Sequence, residues 1–259
     1  MFIKIISIIS SLTLLSRVLG YLRDLLIAKV IGAGLVSDSF FIAFKLPNLF
    51  RRLFAEGSMN SAFIPVVSGV REKVGKIEAD QFFSKIFSML IIFLFFFVIL
   101  LEIFAPFVIS LIAPGFSEDS LKKELTIDFA RLTFPFLLFI CATSLIGAYL
   151  NTLGKFASMA LTPVILNLTI ITCLMIFFKN TDQTNITYYL SLSISIAGII
   201  QLVWMLYNLK RNTVSLSLFV FNKNRFRKPT NKFLKLLVPA ILGNGVYQLN
   251  LLIDMILAS

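Results

Sequence analysis

Histidine is absent from this sequence, cysteine occurs twice, and acidic residues number only 13 against 24 basic ones. Each shortage removes a class of function. Without histidine, the side chain that titrates near neutral pH is missing, and with it the commonest general base and a common metal ligand. Cys141 and Cys173 both lie in apolar stretches and suggest no disulfide framework. Charged residues make up 14% of the chain, where a soluble domain carries about a quarter. No polar stretch is long enough to fold as a soluble domain of its own. These shortages argue against a hydrolytic or metal-dependent enzyme: no catalytic residue and no metal ligand is expected.

What is present is apolar surface. The 259 residues are 58% hydrophobic and include 28 phenylalanines, with a mean hydropathy of +0.92. The apolar residues recur in runs long enough to cross a hydrocarbon core of ~30 Å. Spans are predicted at 7–30, 36–69, 82–112, 126–151, 158–178, 185–209 and 231–257. The fold class is therefore all-α, a polytopic transmembrane bundle of about seven spans. The first run passes through Arg17, Gly20, Arg23 and Asp24 with no small-residue cleavage pattern, and is read as a retained span rather than a signal peptide. The second is too long for one straight crossing, and Pro47, Gly57 and Pro65 predict a broken helix. Pro106 and Pro135 are expected to kink the third and fourth spans, with an exposed turn at 113–119 between them.

A net charge of +11 would suggest nucleic acid in a soluble chain. Here the charge falls between apolar runs, so no nucleic-acid partner is expected. Lys4, Arg71, Lys73, Lys76, Lys85, Lys155 and eight bases from Lys210 to Lys235 fall on one side. Only Lys29, Lys122, Lys123 and Lys179 fall on the other, among Asp38, Glu118, Asp119, Glu124, Asp128 and Asp182. The positive-inside rule then predicts a cytoplasmic N-terminus. The division expected is a six-helix lobe at 1–210, a basic cytoplasmic linker at 211–230 and a seventh helix at 231–259 that starts a second lobe. The linker reads either as a solvated loop or as a segment lying on anionic headgroups.

Six bases remain inside predicted spans: Arg17, Arg23, Lys45, Arg51, Arg52 and Arg131. One arginine near the membrane centre costs ~3 kcal/mol on the translocon scale. A polar cavity, ion pairing or snorkelling must relieve such costs. At about 100° per residue, Arg17 and Asp24 share a face of the first span and Arg23 lies roughly a third of a turn away, so Arg17 and Arg23 are expected to flank a cavity rather than stack. Asp38, Lys45, Arg52 and Glu56 form a stripe on the second, with Asn48 nearby, and a break at Pro47 would turn Arg51 toward the same space. A basic, water-accessible cavity bounded by lipid suits an anion on a hydrocarbon tail, because guanidinium groups hold phosphate oxygens in pairs. The competing reading makes Arg23–Asp24 and Arg52–Glu56 internal ion pairs that hold helices together. Arg131 reads as a snorkelling or anchoring residue. Gly20, Gly57, Gly147, Gly198, Gly243 and Gly245 are candidates for close helix approach or bending.

The stretch Ser16-Arg17-Val18-Leu19-Gly20-Tyr21-Leu22-Arg23-Asp24, followed by Gly32-Ala33-Gly34 and Asp38, resembles the MurJ/MviN family of bacterial lipid II flippases. The run FKLPNLFRRLFAEG at 44–57 and Ser61-Ala62-Phe63-Ile64-Pro65 extend the match. So do Ala113-Pro114-Gly115-Phe116, Arg131-Leu132-Thr133-Phe134-Pro135, Asn151-Thr152, Gln201-Leu202-Val203 and Pro239-Ala240-Ile241-Leu242-Gly243. The family belongs to the multidrug, oligosaccharidyl-lipid and polysaccharide exporters. The resemblance implies translocation of lipid II, the undecaprenyl-pyrophosphate-linked peptidoglycan precursor, across the inner membrane by alternating access. It implies Arg17, Arg23 and Arg51 as cavity cations with Asp24 and Asp38 as acidic partners. Lys45, Asn48, Arg52 and Glu56 take a secondary or gating role. No cofactor is implied beyond coupling to ions and membrane potential. Partners implied are lipid II, membrane lipids and a separate C-terminal half, since family members have two lobes and this chain reads as a fragment or one half of a split transporter. Two other readings stay open: a flippase for another lipid-linked oligosaccharide, and a non-transporting membrane scaffold.

Overall fold

The structure is a computed structural model that describes residues 2–52, 58–117, 119–178, 182–218 and 225–258. Among these there is no strand. Eleven helices follow one another: α1 Phe2–Ile31, α2 Leu35–Arg51, α3 Met59–Val74, α4 Lys76–Ile103, α5 Ala105–Ile112, α6 Ser120–Thr133, α7 Pro135–Thr152, α8 Ala157–Ala160, α9 Thr162–Phe177, α10 Gln183–Arg211 and α11 Arg227–Ala258. Four stretches, Lys76–Ile103, Ser120–Thr152, Ala157–Phe177 and Gln183–Arg211, are long and apolar enough to cross a membrane. The chain is an integral membrane protein.

Local chemistry sets the breaks. Pro106 and Pro135 lie in the first turn of α5 and α7, where a missing N–H leaves no bond unmade. The expected kinks therefore fall one to two residues earlier, at Phe104 and Phe134. Asp119 caps α6 by accepting hydrogen bonds from the Leu121 and Lys122 amides, both at 3.1 Å. The turn from α3 to α4 passes through Gly75 at φ 110°, a conformation that a side chain rarely allows.

The predicted second span holds α2 and α3, and neither proline breaks it: Pro47 lies inside α2 and Pro65 inside α3. Glu56 and Gly57, the third expected break, lie outside the described residues. The third span begins at Lys76 rather than 82, so Lys85, counted above as a loop base, is buried within α4. Helix α6 starts six residues before the predicted fourth span because its first turns are polar and escape a hydropathy reading.

The bundle centres on α7, in which every residue from Ile140 to Leu150 is buried. Small residues let neighbours close on it. A Cβ at Gly147 would come within 2.7 Å of Met159 Sδ, and one at Gly198 on α10 within 2.9 Å of the Phe136 ring. The core divides between the two ends of the bundle. One cluster joins α2, α5, α6 and the start of α7 through Phe40, Phe129 and Phe134. The other joins α3, α4, the end of α7 and α11 through Phe63, Phe83, Tyr149 and Phe233. Phe93, Phe96 and Phe107 face outward on α4 and α5, as lipid contact requires.

Polar contacts tie loops together at each end. At one end the Lys76 ammonium donates to the Thr213 carbonyl at 3.0 Å, Arg225 pairs with Glu78, and Ser158 donates to Asn208 at 2.9 Å. At the other, Lys29 sits 5.8 Å from the Phe178 ring centre and Ser39 donates to the Lys122 carbonyl at 3.1 Å. Loops that the charge pattern grouped together therefore share an end.

Candidate functional site

Helices α1, α2, α7 and α9 line an open cavity of about 1590 Å³, with α6, α8, α10 and α11 adding to its walls. Its charged lining is Arg23 and Asp24 from α1, Asp38 and Lys45 from α2, Arg52 just beyond α2, and Lys122 from α6. Four cations face two carboxylates. The positions 38, 45 and 52 lie seven residues apart, so nearly two helical turns separate successive members and all three point one way. Asn48 extends this row, and its amide donates to the Phe44 carbonyl at 3.2 Å.

Arg23 is held on two sides. Its Nη2 and Nε donate to Asp24 Oδ1 at 2.7 and 2.9 Å, and Nη1 donates to Asn167 Oδ1 at 2.9 Å. Asn167 is buried on α9 and donates in turn to the Ser16 carbonyl at 2.9 Å. A Cβ at Gly20 would lie 3.5 Å from the Asn167 amide nitrogen, an ordinary contact, so this approach does not depend on glycine. Asp38 receives the Lys122 ammonium at 2.9 Å, and that ammonium also lies 3.9 Å from the centre of the Phe116 ring. The lining thus runs from a paired carboxylate at one end of α2 to Arg52 at the other.

Several predicted residues are placed differently. Asp24 pairs with Arg23, the ion pair that the competing reading named, although it is Arg17 that shares its helical face. Arg17 is exposed on α1 and is not among the cavity-lining residues. Lys122, counted above as a loop base, lines the cavity. Arg51 ends α2, with no break at Pro47 to turn it; its side chain and the whole of Glu56 lie outside the described residues. Arg131 is exposed on α6.

Asn167 and Lys122 escaped the sequence reading. A lone asparagine in an apolar run reads as a hydrogen-bonded core residue, and nothing local says that its partner stands 144 positions away. Among the described residues, no group of three His, Cys, Asp or Glu side chains could hold a metal ion.

What the arrangement can do follows from its charge. Fixed guanidinium and ammonium groups, in a space walled by apolar helices, bind an anion more strongly than they would in water. Arg23 keeps its orientation through Asn167 and Asp24, so little rotamer freedom remains to be lost when a ligand binds.

A family described as lipid II flippase MurJ matches residues 27–259. The relative described as "Probable lipid II flippase MurJ" in Rickettsia prowazekii (strain Madrid E) is 38% identical over 252 residues, which cover 97% of this chain and 48% of the relative. The protein of the same description in Rhizobium tropici is 36% identical over 250 residues, covering 95% of this chain and 46% of its own. A solved structure of lipid II flippase MurJ in an inward closed conformation matches with a TM-score of 0.77 and 31% identity, over 95% of this chain and 49% of the other. The chain spans about half the length of the curated relatives it matches.

Proposed function

Since the chain belongs to the lipid II flippase MurJ family, we propose that it forms the N-terminal half of a transporter that moves lipid II from the inner to the outer leaflet of the plasma membrane. The observation that carries this reading is the cationic cavity inside an apolar bundle, where Arg23, Lys45, Arg52 and Lys122 outnumber Asp24 and Asp38. The pyrophosphate enters this cavity while the polyprenyl tail stays in lipid. No bond is made or broken, so the protein works as a transporter and not as an enzyme. Its contribution is to lower the cost of carrying a charged headgroup through hydrocarbon, with alternating access supplying direction.

In this reading residues 1–210 form one lobe, 211–230 a basic linker, and 231–259 the first helix of a second lobe. The half-length match to the curated relatives supports a second lobe, supplied by further sequence or by a separate chain. The basic loops gathered at one end support a cytoplasmic N-terminus in the inner membrane. Arg17 and Arg51 complete the cation set when the second lobe is present, and Glu56 gates the inner side.

The test is lipid II flipping in cells depleted of their own flippase, with the chain expressed alone and with a candidate C-terminal half. Flipping with both halves, abolished by Arg23→Ala, supports the reading. Well-expressed halves that leave flipping absent refute it.

A further inference from the structure

The cationic residues of the cavity come from α1, the α2 region and α6, and the wall that α7, α10 and α11 contribute carries no charge. Its polar side chains include Asn151 at the end of α7, Gln201 on α10 and Gln248 on α11. Gln201 is 1% exposed and Gln248 6%, while Asn151 is half-buried with its Oδ1 covered. Gln201 Nε2 donates to the Thr162 carbonyl at 2.7 Å. That bond sets the orientation of the amide and leaves Oε1 as its spare acceptor. Gln201 Oε1, Asn151 Oδ1 and Gln248 Oε1 all lack a hydrogen-bond partner among the described residues.

A buried acceptor without a donor costs free energy, and native proteins leave few of them. Three border this one cavity. Asn167, on the charged side, shows the contrast: its oxygen accepts from Arg23 and its nitrogen donates to Ser16. The three spare oxygens are covered by their neighbours in this conformation, so those neighbours must move aside to admit a ligand.

We infer that this wall recognises the uncharged part of the headgroup. Gln201, Asn151 and Gln248 accept hydrogen bonds from sugar hydroxyls or amide N–H groups, while the cations hold the phosphates. The inference rests on the flippase reading above and deepens it. An amide oxygen repels a phosphate oxygen and welcomes a hydroxyl, so the two walls orient a glycan-bearing headgroup. A bare pyrophosphate lipid has no sugar hydroxyl or amide N–H to donate to these oxygens.

The experiment compares binding of lipid II with binding of undecaprenyl pyrophosphate by the whole chain in lipid nanodiscs. Gln201→Met and Asn151→Leu each keep side-chain bulk and remove the acceptor. Each variant is expected to lose about five- to tenfold in affinity for lipid II, as one hydrogen bond is worth, and to bind undecaprenyl pyrophosphate as the wild type does. Because Gln201 also holds Thr162, Asn151→Leu keeps the test decisive if Gln201→Met does not fold. Variants that preserve the wild-type preference for lipid II, or that lose both lipids equally, overturn the inference and leave the flippase reading standing. A wild-type chain that binds neither lipid, alone and together with the candidate C-terminal half, overturns the flippase reading and this inference with it.

Discussion

Replacing Asn167 with leucine should damage the protein far more than replacing Asp24 with asparagine, although Asp24 carries the charge. Asn167 is 5% exposed and touches α1 twice, accepting from Arg23 Nη1 and donating to the Ser16 carbonyl, each at 2.9 Å. Leucine fills much the same space but removes both contacts. A hydrogen bond to a charged group is worth about 1.5–3 kcal/mol and a neutral one about 1 kcal/mol. Ser16 keeps its place in the helical ladder of α1, so its carbonyl is not orphaned and the second loss is small. The expected cost of Asn167→Leu is therefore about 2–3 kcal/mol. Asp24 is another matter. Its side chain is 64% exposed and adjoins Arg23 in sequence, so water replaces much of what asparagine would give up. Such a pair contributes about 0–1 kcal/mol. Unfolding of the purified chain in mixed micelles, titrated with a denaturing detergent, measures both. If Asn167→Leu stays within about 0.5 kcal/mol of wild type, or Asp24→Asn costs as much, then α9 does not hold the arginine and the reasoning fails.

Four further outcomes follow from the same geometry. Gly198→Ala should destabilise by about 1–3 kcal/mol, because the new methyl meets the Phe136 ring at 2.9 Å and Phe139 Cβ at 3.0 Å; Gly243→Ala, inside α11 with nothing within 4 Å, should instead stabilise by about 0.5–1 kcal/mol in the same titration. Asp119→Ala should cost about 1 kcal/mol and speed hydrogen exchange at the Leu121 and Lys122 amides, which lose their cap. Cys141 and Cys173 are both buried and should resist a membrane-impermeant maleimide until the protein is unfolded. On that silent background, a cysteine replacing Lys123 should label from outside intact cells and one replacing Lys155 only after permeabilisation; the reverse pattern would invert the proposed orientation.

Helix positions were legible wherever apolar runs met punctuation. Gly32 and Gly34, the Pro114–Gly115 turn and the polar stretch around Asp182 each separate helices in the structure. Boundaries failed where a helix begins or ends on polar residues. Helix α4 starts at Lys76 and carries Glu78, Asp80 and Gln81 before its apolar run, and hydropathy could not count those as helix. In the structure they earn their place through tertiary contacts. Asp80 is buried, accepts the Tyr149 hydroxyl and takes the Ser215 amide at 3.3 Å. Both partners are remote in sequence, and no window on α4 predicts them. The prolines misled for a related reason. Pro47 and Pro65 look like breakers, but each lies inside a helix of 16 or 17 residues whose packing outweighs one missing bond.

The cavity divides in the same way between what is legible and what is not. A charge inside an apolar run is conspicuous because burying it is so costly, and the stripe of Asp38, Lys45 and Arg52 could be seen from spacing alone. Amides are cheap enough to bury that each one taken singly means little. Asn151, Asn167, Gln201 and Gln248 become informative only when the fold brings α7, α9, α10 and α11 around one space and shows which amide atoms are used. Asn167 uses both of its own, so it holds Arg23 in position. Gln201 uses one and keeps one, so it has an acceptor to offer. That difference lies in hydrogen-bond partners rather than in residue type, and for this reason the neutral wall could not be read from the chain. A cavity with cations alone would hold any anionic lipid; one that can also offer acceptors from Gln201, Asn151 and Gln248 has the means to ask what the phosphate is attached to.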